Sequence, residues 1–216
     1  MKPIKATIQD TDALIELGRA SVQIVHDLKN QVNGLKLYAT FLRRRLEKAE
    51  RPPDELETIE KMMAGLDRAV SDMNTLVRFG RPLELQRQPG LDLTQLLAAA
   101  AEGDALDAQD GVYSGEFDPA MLSDALKVIH ACARSHAADG GLKGINLRRE
   151  ETAGAPSLLA LVEWHGLKET GDANLFDAFN GGTGLRLALA AKIIKAHGGT
   201  VEHETETIRV RLPLSS

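Results

Sequence analysis

The chain has 216 residues, of which 43% are hydrophobic and 26% are charged, and its formal net charge at pH 7 is -5. This composition predicts one folded domain of ordinary size or two small ones, and the acidic balance argues against nucleic acid as a partner. A single cysteine excludes an intrachain disulfide. No apolar run is long enough to cross a bilayer, and the start MKPIKATIQD is too polar for a signal peptide, so we expect a cytoplasmic protein without a membrane partner.

The first third of the chain has the apolar periodicity of two helices. Apolar residues recur every three or four positions from Thr11 to about Ala49, and again from Leu56 to Gly80, with Pro52 and Pro53 between the two runs. Two helices joined by a short turn are expected to form an antiparallel hairpin over residues 1–81. The second helix is predicted to end at Gly80, because glycine can adopt the left-handed conformation that closes a helix. Such a hairpin cannot cover both of its apolar seams, so we expect a homodimer that forms a four-helix bundle.

After Pro82 the pattern changes to that of a layered domain. Helices are predicted over 94–103 and 119–137, the latter with Pro119 in its first turn, and a further helix over 183–199. Strands are predicted over 142–150, 157–165, 200–205 and 208–214, and residues 82–93 read as an extended connector. Residues 82–216 are therefore expected to form an α/β-sandwich domain, which makes the whole chain α+β.

His26 lies on the polar side of the first predicted helix. With Leu14 at heptad position a, His26 falls at position f, opposite the apolar seam, where Asn33 and Thr40 also fall. The imidazole is therefore predicted to face solvent. An ordinary surface histidine is one interpretation. The other is a nucleophile, since an imidazole with a pKa of about 6.5 is largely neutral near pH 7.

Three stretches in the expected order resemble two-component histidine kinases. HDLKNQ, residues 26–31, resembles the phosphoacceptor box of that family at five of six positions, with Gln31 where proline is usual. Residues 77–97 resemble the passage from the dimerisation hairpin into the catalytic domain, and residues 181–201 resemble the last glycine box. The resemblance implies a dimerisation and phosphotransfer hairpin followed by an ATPase-like domain.

The resemblance also assigns roles around the histidine. It implies that His26 carries a phosphoryl group, that Asp27 orients the ring, and that Asn30 and Lys29 line the transfer site. Adjacent residues on a regular helix do not share a face, so Asp27 needs a particular rotamer to reach His26. Lys29 has an equally good interpretation as a solvated lysine.

The nucleotide ligands of the family are mostly replaced. Alignment places Val128 and Cys132 at the two asparagine positions and Trp164 at the aspartate that binds adenine, while Gly166 is retained. A hard cation such as Mg²⁺ requires oxygen ligands. Gly182 and Gly184 are the candidate phosphate contacts if ATP binds, but close packing of a helix also explains them. LFDAF, residues 175–179, matches the phenylalanine box.

These replacements predict a degenerate ATPase domain with no intrinsic cofactor and no metal site, since His130 and Cys132 lie about 200° apart on a helix. The expected function is that of a phosphorelay histidine phosphotransferase, which exchanges a phosphoryl group between His26 and the aspartate of response-regulator receiver domains that bring their own Mg²⁺. Two alternatives stay open. One is an ATP-dependent histidine kinase with a divergent nucleotide site, and the other is a non-catalytic module that sequesters a signalling protein.

Overall fold

A computed structural model of the chain describes residues 8–47, 53–138, 141–151, 158–168, 175–176 and 181–215. The chain divides into two compact units, with the boundary between Pro82 and Leu83. The first unit is helical and the second combines helices with sheets, so the predicted α+β class is confirmed. Among the described helices, none is both long enough and apolar enough to cross a bilayer.

The first unit is the predicted helical hairpin. Helix α1 runs over Ile8–Glu47 and α2 over Pro53–Gly80, and the two pack against each other. Asp54 and Glu55 lie in the first turn of α2, where negative charge favours the helix N-terminus. Helix α2 ends at Gly80 as predicted, but Gly80 does not have a positive φ. Pro82 gives the better reason, because it disfavours helical geometry at the residue before it and cannot donate a backbone hydrogen bond.

Where the side chains of α1 are described, from Val25 onwards, one apolar stripe is covered within the hairpin and another is not. The covered stripe recurs every seven residues and is buried or half-buried: Val25, Val32, Ala39 and Leu46. A neighbouring stripe remains open to solvent, with Leu28 43%, Leu35 55% and Leu42 50% exposed. Met62 and Leu76 of α2 are exposed as well. A single hairpin therefore leaves an apolar surface uncovered, as its sequence predicts.

The described residues of the second unit form three helices and two sheets. Its elements are β1 (Gln88–Asp92), α3 (Leu93–Ala100), β2 (Leu106–Ala108), β3 (Ser114–Phe117), α4 (Pro119–Ser135), β4 (Gly144–Glu151), β5 (Leu158–His165), α5 (Gly181–Ala196), β6 (Thr200–Glu204) and β7 (Thr207–Pro213). The larger sheet has the order β2-β4-β5-β7-β6, in which β2 is parallel to β4 and the other neighbours are antiparallel. Strands β1 and β3 form a separate antiparallel pair.

The core of this unit lies between one face of the larger sheet and the helices. Alternate residues of β5 are fully buried, namely Ala160, Val162 and Trp164. The opposite face carries charged pairs: Arg209 donates to Glu163 at 2.9 Å and Arg211 to Glu150 at 2.9 Å. The alternation places apolar side chains under the helices and ion pairs on the open face.

The predicted helices and the four predicted strands are all present, with ends shifted by a few residues. Strands β1, β2 and β3 were not predicted, which is an error of the sequence interpretation. Strands β2 and β3 have only three and four residues, and each forms by pairing with a strand that is distant in sequence. The helix predicted over 94–103 ends at Ala100, and Glu102 and Gly103 form a turn with positive φ.

Candidate functional site

Position 26 lies within the regular helical backbone of α1. The side chains of His26 and Asp27 fall outside the described part of the structure. On a regular helix, positions 26, 30, 33 and 37 recur on one face. Asn30 and Asn33 are exposed, and Leu37 is 55% exposed. The face that carries position 26 is therefore open to solvent wherever its side chains are described.

The two other predicted residues take different positions relative to this face. Asn30 lies one turn from position 26 and is exposed. Lys29 is half-buried and is rotated towards the side on which Val25 and Val32 meet α2. The helix therefore brings Asn30 onto the face of position 26 and leaves Lys29 at its edge. The role predicted for Asp27 falls on a side chain that is not described, and it stays a prediction.

Two of the positions aligned with nucleotide ligands, Cys132 and Trp164, are part of the protein core. Val128 is half-buried and Cys132 is buried on α4, and burial raises the pKa of the Cys132 thiol to about 11. A protonated thiol is a poor ligand for a hard cation. Trp164 is fully buried, and its Nε1 donates to His130 Nδ1 at 3.3 Å. An indole with its donor satisfied thus stands where the family has a carboxylate.

The end of α4 is hydrogen bonded to the segment that follows β5. Ala138 N donates to Gly166 O at 2.9 Å, and Lys168 N donates to His136 O at 2.7 Å. Gly166 has a φ of +88°, and a Cβ at this position would lie 2.8 Å from Lys143 Cγ and 3.2 Å from Lys143 N. The backbone and the contact with Lys143 therefore explain the retained glycine without a bound nucleotide.

The two candidate phosphate-binding glycines lie in the first turn of α5, which begins at Gly181. Gly184 is buried, whereas the burial of Gly182 lies outside the described part of the structure. Of the phenylalanine box, Leu175 and Phe176 are described and Phe176 is buried, whereas residues 177–179 lie outside the described residues. A helix N-terminus with a buried glycine fits close packing as well as anion binding.

Sequence reasoning missed a buried polar cluster that joins the connector to the start of α4 and to the end of α5 within the second unit. Asp118 caps α4 by accepting from Met121 N at 3.0 Å, and it also accepts from Gln86 N at 2.8 Å. Its own backbone N donates to His197 Nε2 at 3.0 Å. Burial alone would raise the pKa of Asp118, but the backbone N–H groups directed at the carboxylate leave this pKa below its ordinary value. The Asp-Pro pair at the start of α4 was the available signal.

Comparison with known proteins identifies the class of fold. No family model matches the chain, and no curated protein matches it. Full-length ShkA in complex with AMPPNP matches with a TM-score of 0.66 and 20% identity over 90% of this chain and 45% of ShkA. The histidine kinase AdeS of Acinetobacter baumannii matches with a TM-score of 0.54 and 17% identity over 88% of this chain and 98% of AdeS.

The fold is therefore that of the histidine kinases, a helical hairpin followed by an ATPase-like domain, and the resemblance inferred from the sequence motifs is confirmed at this level. The chain spans less than half the length of ShkA. At 17% to 20% identity the likeness establishes the fold alone.

Proposed function

We propose that the chain is a histidine phosphotransferase of two-component signalling. It receives a phosphoryl group on His26 from the aspartate of one response-regulator receiver domain and returns it to the aspartate of another. The main support is the open face of α1 that contains positions 26, 30 and 33, on a hairpin of histidine kinase fold. The replacement of nucleotide ligands by Cys132 and Trp164 favours transfer between proteins over transfer from ATP.

The chemistry requires an accessible neutral imidazole and good positioning. The lone pair of one ring nitrogen forms a P–N bond while the P–O bond of the aspartyl phosphate breaks, and the aspartate leaves as a carboxylate. Asp27 is proposed to accept the hydrogen bond of the other ring nitrogen, and Asn30 lies one turn away on the same face. The receiver supplies Mg²⁺ and its acidic pocket, so this chain contributes mainly orientation.

We further propose that a second copy of the chain covers the exposed leucines of α1. Leu28, Leu35 and Leu42 form a stripe that spans residues 28–42 of α1, and exposed Met62 and Leu76 of α2 supply additional apolar surface. Contiguous exposed apolar surface of this kind marks a contact site. Pairing of two hairpins about a two-fold axis would bury both stripes in one four-helix bundle.

The experiment that tests the proposal follows label from a phosphorylated receiver domain onto this protein. Wild-type protein is expected to become labelled, and His26→Gln to stay at background because it lacks the nucleophile. His203→Gln, a change in strand β6, serves as the matched control and should label like the wild type. Equal labelling of wild type and His26→Gln would contradict the proposal. Receiver binding without any transfer would instead favour the non-catalytic binding module.

An ATP-dependent histidine kinase is the second candidate. The observation that favours it is the shared fold with ShkA, whose structure contains AMPPNP. A kinase would incorporate label from γ-labelled ATP onto His26, and Mg²⁺-ATP would raise its Tm through preferential binding to the folded state. We expect neither effect, because α4 and β5 present a buried thiol and a buried indole at the ligand positions.

A further inference from the structure

A groove lies between α4 and the loop that joins α3 to β2. Its volume is about 380 Å³, and its lining consists of Glu102, Lys127, His130, Ala131, Arg134 and Ser135. Lys127, Ala131 and Arg134 are spaced four and three residues apart, so they lie on one face of α4. Ala131 leaves space between the two cationic side chains, both of which belong to exposed residues.

The buried wall of the groove is His130, which is 2% exposed. An indole N–H can only donate, so the 3.3 Å contact with Trp164 Nε1 makes His130 Nδ1 an acceptor. Burial lowers the pKa of His130, which keeps the ring neutral at neutral pH. A neutral ring with an acceptor at Nδ1 carries its proton on Nε2.

The Nε2–H group of His130 makes no well-formed hydrogen bond within the described part of the chain, and the backbone of Ala101 gives the ring only a weak polar contact. The nearby carboxylate is that of Asp104, whose Oδ2 lies 3.4 Å from Nε2 without forming a hydrogen bond, and 3.7 Å from Arg134 Nε. A buried donor without a well-formed hydrogen bond is unfavourable, so the groove favours a ligand that supplies an acceptor oxygen. A protonated nitrogen cannot coordinate a metal ion.

We propose that this groove binds a small oxyanion, a phosphate or carboxylate group, whose oxygens accept from His130 Nε2 and from the side chains of Lys127 and Arg134. The side chain of Asp104 is itself a carboxylate, so it competes with the ligand for Arg134 and His130. Glu102 adds a second negative charge at the rim, so the affinity is expected to be in the millimolar range, as for a single anion held by a few charged donors.

The site is separate from the positions aligned with the family's nucleotide ligands. At 100° per residue, the face formed by Lys127, Ala131 and Arg134 lies roughly 110° around α4 from Val128 and Cys132. Position 26 belongs to the other compact unit, so anion binding in the groove does not require phosphotransfer.

Trp164 is the only tryptophan of the chain and contacts His130, so its fluorescence reports on the groove. Titration of the full chain with inorganic phosphate, at constant ionic strength with chloride as the balancing anion, is expected to give a saturable emission change and a rise in Tm. Lys127→Gln and Arg134→Gln should each weaken binding by about tenfold through the loss of a charge-assisted hydrogen bond. Lys195→Gln, at an exposed lysine of α5, is the matched control and should bind phosphate like the wild type.

Asp104→Asn distinguishes a binding site from a structural ion pair. The substitution removes the competing charge, so phosphate is expected to bind several-fold more tightly, whereas a purely structural role predicts no gain in affinity. Acetate in place of phosphate tests the carboxylate arm, and a saturable response to either anion supports the site. The proposal is overturned if neither wild type nor Asp104→Asn responds saturably, or if Lys127→Gln and Arg134→Gln leave the response unchanged.

Discussion

Asp118 is a single side chain that joins three segments of the second unit. Its carboxylate accepts from Met121 N at the start of α4 and from Gln86 N in the connector, and its backbone N donates to His197. Two backbone N–H groups, those of Met121 and Gln86, would lose their acceptor in Asp118→Ala. We expect the free energy of unfolding to fall by about 2–3 kcal/mol, as for loss of a helix cap and a charge-assisted hydrogen bond.

Urea unfolding at pH 7 measures this loss. Asp118→Asn is the matched control, because an asparagine oxygen still caps a helix, and it should lose less than half as much as Asp118→Ala. Equal losses in the two variants would show that charge, rather than the capping geometry, is the dominant contribution.

At the level of single residues, the sequence indicated which face of a helix a side chain lies on, but not which distant side chain it contacts. It placed His130 and Cys132 on different faces of a helix, which holds in the structure, where His130 contacts Trp164. It did not predict that contact, because the two residues are 34 positions apart and belong to different elements. Pairing between distant side chains depends on how α4 packs on β5, which local periodicity does not determine.

A substitution at Gly199, between α5 and β6, tests how closely the backbone at this junction packs against β7 and α5. A Cβ at this position would lie 2.3 Å from the backbone O of Arg211 in β7 and 3.0 Å from Ile194 Cγ2. Because a backbone oxygen cannot move without disturbing the sheet, we expect Gly199→Ala to lower the free energy of unfolding by about 2 kcal/mol or more.

Gly34→Ala is the matched control for Gly199→Ala. No heavy atom lies within 4 Å of a Cβ at Gly34 within the single chain, and this residue is in the interior of α1. The substitution should stabilise the protein by about 0.5–1 kcal/mol, because alanine restricts the unfolded chain more than glycine does. Chemical denaturation of both variants should therefore give shifts of opposite sign. Two destabilising shifts of similar size would contradict the role of the Arg211 contact.

At the level of elements, the periodic spacing of apolar residues was sufficient to predict the long helices and the strands in which apolar and polar residues alternate regularly. The helices α1, α2, α4 and α5 and the strands β4 to β7 were all predicted. Strands β2 (LDA) and β3 (SGEF) lack a period of two that could be recognised, because they are too short. They exist because β4 and β1 provide partners, which is a property of the assembled sheets.

The whole molecule is proposed to be a dimer through the leucine stripe of α1. Leu35 and Leu37 are equally exposed at 55%, but two residues on a helix are about 200° apart, so only Leu35 lies on the stripe with Leu28 and Leu42. Leu35→Glu is expected to give a monomer by sedimentation, since a charge in an apolar interface is strongly unfavourable. Leu37→Glu should stay dimeric and instead weaken transfer from the receiver, because Leu37 shares the face of position 26. A dimer in both variants would exclude this stripe as the interface.

The stability of the whole molecule should depend on two buried histidines. Burial lowers the pKa of His130, which faces Asp104, Glu102 and Arg134, and that of His197, which faces Asp118 and Arg87. Both side chains therefore bind protons more readily in the unfolded chain. The free energy of unfolding should stay level above pH 6.5 and fall below it, by at most about 1.4 kcal/mol per pH unit for each histidine.

Urea midpoints at pH 7.5 and pH 5.5 measure this dependence. The pKa of Asp118 is lowered from 3.8, so its contribution is lost only at more acidic pH and does not confuse the comparison. A midpoint that is the same at pH 7.5 and pH 5.5, or higher at pH 5.5, would show that these histidines titrate alike in the folded and unfolded chains.

The sequence by itself determined the hairpin, the order of the main elements, the α+β class and the resemblance to histidine kinases, because each of these depends on local periodicity or on short motifs. The tertiary structure decided which stripe of α1 is covered, the position of Lys29 at the edge of the exposed face, and the burial of Trp164 against His130. It also determined that the short strands β1, β2 and β3 form and that Asp118 accepts a hydrogen bond from Gln86 N. These features depend on packing between residues far apart in the chain, where the free energy of a contact depends on the neighbours that the fold supplies and not on the residue alone.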